Sequence, residues 1–204
     1  MPGKDRKLIL ASTSPRRQEL LVQLGIDFDV IAVATEEMPR PGESPVAYVR
    51  RAAAQKSAHG QALAPPGSAI LAADTEVVLD GEIFGKPESL DHARRMLRRL
   101  SGRTHEVLSA VSLRHGAWHR EMLSVSRVTF REISPLEIEA YWHSGEPCDK
   151  AGGYAIQGKG ALFVRHLSGS FSGVMGLPLY ETGLLLGELG IEASVLLRGG
   201  GFGP

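Results

Sequence analysis

An α/β fold is predicted by three features of this sequence. Short apolar runs alternate with amphipathic stretches, helix-start and turn residues punctuate the boundaries, and no repeat or long low-complexity linker interrupts the pattern. The first strand is expected at Leu8 to Ala11. After Ser12-Thr13-Ser14, with Ser14 as N-cap and Pro15 in the first helical position, a helix runs to about Leu24 and closes at Gly25. Phe28 to Val33 reads as a second strand, leading into a polar, Pro-containing loop from Thr35 to Glu43. Ser44-Pro45 then opens a helix with Val46, Val49, Ala53 and Ala54 on one face. Ala69 to Ala73 is a continuous apolar run, the mark of a buried strand, and it is expected to end on Asp74. Glu76 to Leu79 and Glu82 to Phe84 flank Asp80-Gly81, a strong hairpin signal.

The helix from Asp91 to Leu100 carries Ala93, Met96, Leu97 and Leu100 on one stripe. Arg94, Arg95, Arg98 and Arg99 fall outside it and read as a solvated face. Val107 to Leu113 and Leu123 to Phe130 form a long hairpin around Arg114-His115-Gly116. Ser134-Pro135 opens a helix through Trp142, Ala155 to Val164 supplies another strand, and Pro178 to Leu189 a last helix ending at Gly190.

Composition excludes whole classes of partner. The 204 residues carry 23 Lys plus Arg against 23 Asp plus Glu, so no global field exists to hold nucleic acid or an anionic membrane, and any phosphate site must be a local cluster. The lone Cys148 cannot form an intramolecular disulfide, and the first apolar run meets polar residues too soon for a signal peptide or a membrane span. A cytoplasmic protein is expected. The Gly-rich residues 199–204 are expected to form a flexible tail.

Several segments could carry chemistry. Ser12, Ser14, Arg16 and Arg17 stand between a strand and a helix N-terminus, where backbone N–H groups, hydroxyls and guanidiniums can meet a phosphate, although an N-cap with two exposed arginines reads equally well. Asp74 at the end of a buried strand is costly unless paired, metal-bound or catalytic. Thr75 adds a hydroxyl beside it, and Lys86 between Gly85 and Pro87 sits at the hairpin exit. Glu36 and Glu37 lie in a loop; if one of them met Asp74 across a cleft, the pair would suit magnesium or manganese bridging phosphates. The seven histidines are scattered without zinc-site spacing, and the sequence offers Cys148 no obvious histidine partner. The densest cluster, Ser144 to Gly158, interleaves glycines with Asp149, Lys150 and Gln157. The Gln157 amide offers one donor and one acceptor, matching the O4 and N3–H edge of uracil or thymine, although a flipped amide suits cytosine.

In this order, Leu8-Ile9-Leu10-Ala11-Ser12 with Ser14-Pro15-Arg16-Arg17, Ala73-Asp74-Thr75, Gly85-Lys86-Pro87, Asp149-Lys150-Ala151-Gly152, Tyr154, Ile156-Gln157-Gly158 and Gly176-Leu177-Pro178-Leu179 resemble the Maf family of nucleoside triphosphate pyrophosphatases. The likeness spans roughly Leu8 to Leu189 and is greatest to the branch acting on dTTP and UTP, because Tyr154 to Gly158 stands where the 7-methyl-GTP branch has a Glu-containing segment. The resemblance implies an ITPase-like mixed twisted sheet flanked by helices, a single domain over residues 1–198 with two lobes around a deep cleft, and a cytoplasmic homodimer. It implies hydrolysis between the α- and β-phosphates with a divalent cation, Mg or Mn. Asp74 then resembles the general base. Arg16, Thr75 and Gln157 resemble specificity positions, Arg17, Lys56 and Lys86 phosphate-binding cations, and Glu37 an acidic partner of the metal or water. Two residues depart from the pattern: Thr13 replaces a glycine, and Glu76 stands at a position usually apolar, where it either faces solvent or perturbs Asp74. The rival readings are a pyrophosphatase for a modified purine nucleotide and a non-catalytic nucleotide-binding regulator of division.

Overall fold

The computed structural model describes residues 7–35 and 38–192; the predicted 199–204 tail lies outside them. Seven strands form one mixed sheet: β1 (Leu8–Leu10), β2 (Phe28–Val30), β3 (Ala69–Leu79), β4 (Glu82–Phe84), β5 (Thr104–His115), β6 (Trp118–Phe130) and β7 (Val164–Ser168). The order is β2-β1-β3-β5-β6-β7, with β4 also pairing β3. β1 runs parallel to both β2 and β3, and every other pairing is antiparallel.

Six helices flank the sheet: α1 (Pro15–Val22), α2 (Pro45–Leu63), α3 (Leu90–Leu100), α4 (Pro135–His143), α5 (Phe171–Met175) and α6 (Leu179–Glu188). The start signals act as expected at Ser44 and Ser134, and Ser89 caps α3 in the same way; all three hydroxyls accept N–H groups of the first turn, and Ser134 and Glu137 form a full capping box. Ser14 precedes α1 without capping it through its side chain, so its hydroxyl remains for another use. Among the described residues no helix is long and apolar enough to cross a membrane. The arginine face of α3 is solvated as expected, with Arg94 joining Asp91 and Glu139 and Arg99 joining Glu82.

Alternation along β3 sorts the core. Ile70 and Ala72 pack with Ile9 and Ala11, and Val78 packs with Val49 and Ala53 of α2; both groups lie on the even-numbered face. The odd-numbered face divides into two clusters. Ala69, Leu71 and Ala73 join Leu20, Leu21, Leu185 and Leu186, whereas Val77 and Leu79 join Met96, Leu97, Phe130 and Tyr154. Thr75 lies between them in the sequence.

Three expectations need correction. β3 does not end at Asp74: it continues to Leu79, because the antiparallel partner β5 pairs with it from Ile70 to Val78. Phe28 to Val33 shortens to β2, since β1 supplies only three partners. Ala155 to Val164 is not strand. Glycines at 158 and 160 and a half-buried carboxylate described below fold it into a turn and a 3₁₀ segment, Lys159–Phe163, and strand begins only at Val164. The short helix α5 carries no sequence signal strong enough to announce it.

Candidate active-site cleft

The cleft originates in the sheet edge. Along one side of β3, β1 pairs with Ala69 to Leu71 and β4 pairs with Val77 to Leu79. Between those pairings Asp74, Thr75 and Glu76 have no strand neighbour on that side among the described residues, while β5 covers the other side throughout. The loop leaving β1 and the loop leaving β4 therefore flank the same gap, and they carry Ser12 to Arg17 and Gly85 to Pro87. Ligand sites in open α/β sheets form where neighbouring connections diverge, and this break produces the same opening.

Asp74 is 6% exposed and Lys56 7%. Lys56 Nζ donates to Asp74 Oδ1 at 2.6 Å. One turn further along α2, Gly60 lets the helix seat on the sheet: a Cβ there would lie 2.8 Å from the side chains of Ala11 and Ile70. That close approach delivers the Lys56 side chain to β3. Asp74 Oδ2 is buried and has no hydrogen-bond partner among the described residues, an expensive state for a carboxylate oxygen unless a ligand is to use it.

The α1 wall is held by Arg17. Its Nε donates to the Gly176 carbonyl at 2.8 Å and its Nη1 to Ser12 Oγ at 3.4 Å, while Ser12 Oγ also accepts the Ser14 N–H. Thr75 Oγ1 lies 3.0 Å from Ser109 Oγ and 3.4 Å from the Gly176 carbonyl. Gly176 has φ of 128°, outside the range an L side chain readily adopts, and its carbonyl joins α1 to β3 through these two contacts.

The opposite wall is the stretch from Glu146 to Phe163. Tyr141 Oη donates to Glu146 Oε1 at 2.6 Å, and Glu146 also accepts the N–H groups of Lys159 (2.9 Å) and Gly160 (3.0 Å). Burial opposes charge on Glu146, but these donors outweigh it and hold the carboxyl below its usual range. Asp149 pairs with Lys150 and, at 3.4 Å, with Arg16 across the opening. Partial burial pushes the Asp149 carboxyl up, yet the two cations prevail and hold it below the ordinary value. Gly152 has φ of 69°, and its N–H donates to the Gly85 carbonyl, tying this wall to the Lys86 loop. Tyr154 Oη lies 2.9 Å from His105 Nε2, and burial lowers the His105 pKa to about 4.

Nine predicted residues, Ser12, Ser14, Arg16, Arg17, Lys56, Asp74, Thr75, Lys86 and Gln157, line one cleft of about 760 Å³. Glu37, with Glu36, lies outside the described residues. Gln157 stands exposed on a turn rather than on a strand. Sequence reading missed the Arg16–Asp149–Lys150 group as a unit, the Gly176 carbonyl and the His105–Tyr154 pair, all of which join residues more than 45 positions apart, apart from Asp149 and Lys150 themselves. Among the described residues, no three His, Cys, Asp or Glu side chains gather as a metal site. A divalent cation nevertheless fits the cleft, since magnesium is commonly bound by one or two carboxylates and completed by substrate phosphates, and Asp74 Oδ2 is such a donor.

A relative from Methylococcus capsulatus named dTTP/UTP pyrophosphatase is 65% identical over 199 residues, covering 98% of each chain. Relatives of the same name from Dechloromonas aromatica and Chromobacterium violaceum are 52% and 50% identical, covering 91% and 94% of this chain and 98% and 99% of their own. The family described as Maf-like protein matches residues 7–189, a span that contains every described site residue named above, and the chain belongs to that family.

Proposed function

We propose that this chain is a nucleoside triphosphate pyrophosphatase that hydrolyses dTTP and UTP to the monophosphate and pyrophosphate. The observation that carries the reading is the cleft itself: a buried, lysine-paired aspartate with one oxygen that has no hydrogen-bond partner among the described residues, in a cleft also lined by Arg16, Arg17, Lys86 and Lys150. The names of the relatives support the choice of substrate.

In this reading Lys56 fixes the Asp74 carboxylate through Oδ1, and the carboxylate accepts a proton from a water attacking the α-phosphorus. The bond from the α-phosphorus to the bridging oxygen breaks, and its electron pair leaves with pyrophosphate. Negative charge builds on phosphoryl oxygens, and Arg16, Arg17, Lys86 and Lys150 stabilise it from two walls of the cleft. A divalent cation, Mg or Mn, would be held by Asp74 and the substrate phosphates, and it supplies charge neutralisation at the phosphoryl group. Gln157 reads the uracil or thymine edge with its amide. We also read the protein as a cytoplasmic homodimer and the two odd-face core clusters as the two lobes beside the cleft, readings that rest on the family resemblance.

The test is pyrophosphate release from a panel of canonical and modified nucleoside triphosphates with magnesium or manganese. Selective release from dTTP and UTP is expected, with a loss of roughly 100-fold or more in kcat for Asp74→Asn and retained nucleotide binding. Turnover of 7-methyl-GTP instead would overturn the assignment of Gln157, and a near-normal rate for the variant would remove Asp74 as base.

A further inference from the structure

Thr75 of β3 and Ser109 of β5 stand opposite each other in the antiparallel register, on the face of the sheet where α5 packs. Their hydroxyl oxygens lie 3.0 Å apart, and the other side-chain partners of both among the described residues are carbonyls: Ser109 Oγ donates to Gly173 O at 2.6 Å, and Thr75 Oγ1 lies 3.4 Å from Gly176 O. Each hydroxyl has one hydrogen and the carbonyls have none, so the direction of the chain is fixed. Ser109, 1% exposed, gives its hydrogen to Gly173 across the shortest of the three contacts. The hydrogen between the two hydroxyls is then that of Thr75, since two oxygens 3.0 Å apart with none between them repel. Gly176 is the alternative acceptor for that hydrogen, and it too belongs to the protein. Thr75 is half-buried and lines the cleft, and what its hydroxyl presents there is lone pairs alone.

A phosphate oxygen is itself an acceptor and gains no bond from such a hydroxyl, whereas an O–H or N–H group does. The water assigned to Asp74 is not that group: Asp74 meets Lys56 of α2, and Thr75 meets Ser109 beside α5, on opposite sides of β3. The donors that remain are those of the nucleoside, its sugar hydroxyls and the base N–H. We infer that Ser109 is a positioning residue that holds Thr75 Oγ1 as a hydrogen-bond acceptor, and that Thr75 receives a hydrogen from the nucleoside and does not grip a phosphate. The inference rests on the pyrophosphatase reading for the identity of the ligand; the direction of the chain rests on the two hydroxyls and the two glycine carbonyls alone.

The experiment is steady-state hydrolysis of UTP by the wild type, Thr75→Val, Thr75→Ser, Ser109→Ala and the double variant Thr75→Val/Ser109→Ala, with thermal melts reporting that each is folded. Thr75→Val is expected to raise KM about 5-fold or more and Ser109→Ala about 3-fold, with a smaller change in kcat, while Thr75→Ser stays within about 2-fold of the wild type. The double variant should be no worse than Thr75→Val, because Ser109 acts through the Thr75 hydroxyl; a merely structural Ser109 would add its own loss. Additive losses would overturn the inference. So would an unchanged or lowered KM in Ser109→Ala, the sign expected if a freed Thr75 hydrogen grips a phosphate. The 2′-deoxy, 3′-deoxy and 3-methyl analogues of UTP each lack one nucleoside donor, and the analogue whose KM no longer responds to Thr75→Val identifies the group that Thr75 meets. A full response with all three analogues would also overturn the inference. A wild type that hydrolyses no pyrimidine triphosphate removes the pyrophosphatase reading instead. Calorimetric binding of UTP to the same variants then decides the Ser109–Thr75 order by itself, a non-additive loss keeping it and an additive one removing it.

Discussion

Lys56 and Asp74 are each more than nine-tenths buried, and the hydrogen bond between them is 2.6 Å long. Desolvating two charges costs as much as their attraction returns, so such a pair is kept more by function than for stability, and removing one partner leaves a bare buried charge. Lys56→Met should therefore destabilise the protein by about 3 to 5 kcal/mol, while the double variant Lys56→Met/Asp74→Leu should recover most of that loss and remain inactive. Urea unfolding midpoints with pyrophosphate assays check this; a single variant costing under about 1 kcal/mol would mean that water reaches the pair and screens it. Asp74 was legible in the sequence as a costly carboxylate on a buried run. The family resemblance marked Lys56 as a phosphate-binding cation and not as the partner of Asp74, because the rotation of its helix against β3 is set by packing at Gly60, where a Cβ would lie 2.8 Å from the side chains of Ala11 and Ile70.

The wall from Glu146 to Phe163 is where local signals and tertiary structure part. Ala155 to Val164 has the apolar content of a strand, yet its glycines and the acceptors of Glu146 impose turns: Lys159 and Gly160 donate to the carboxylate, and Ala155 donates to Tyr141 Oη at 3.0 Å. A residue on α4 thus organises a segment up to 14 positions away, and no local propensity reports that. Tyr141→Phe removes both a donor to Glu146 and the acceptor for Ala155. A hydrogen bond to a charged group contributes about 1.5 to 3 kcal/mol, so a loss of this size is expected in chemical denaturation. Because Asp149, Lys150 and Gln157 ride on this wall, the variant should raise KM for UTP several-fold and blunt discrimination between UTP and CTP, with a smaller change in kcat. Unchanged KM and selectivity would show that the wall is held by its core contacts at Tyr154, Ile156 and Phe163 alone. The helix starts and the Asp80-Gly81 turn were legible because their signals are local: Asp80 and Gly81 adopt φ of 53° and 78°, as that dipeptide permits.

At the scale of the whole molecule, a chain of zero formal charge stabilises itself through placed groups rather than a global field, and its pH response follows from those placements. His105 lies 1% exposed in β5, edge-on to Phe130 and Tyr154, with Nδ1 lacking a partner among the described residues. Burial lowers its pKa from 6.5 to about 4. Between those values the unfolded chain takes up a proton that the folded chain refuses, so stability falls as pH falls through that window, by about 3 kcal/mol in total. His119, lowered by burial and then by Arg114, contributes in the same direction. Glu43 and Glu137 act elsewhere: Arg51 and Arg131, with backbone donors, hold them near 2, so their contribution persists until pH drops below 4.5 and is lost toward 2. Urea unfolding of the wild type at pH 7.5, 6.5, 5.5 and 4.5 should therefore show a steady decline below 6.5. His105→Gln, which keeps a polar partner for the Tyr154 hydroxyl without titrating, should flatten most of it. An unchanged slope in that variant would place the proton uptake on His119 or on an exposed group, and would mean that the centre of the sheet admits a charged imidazole at little cost.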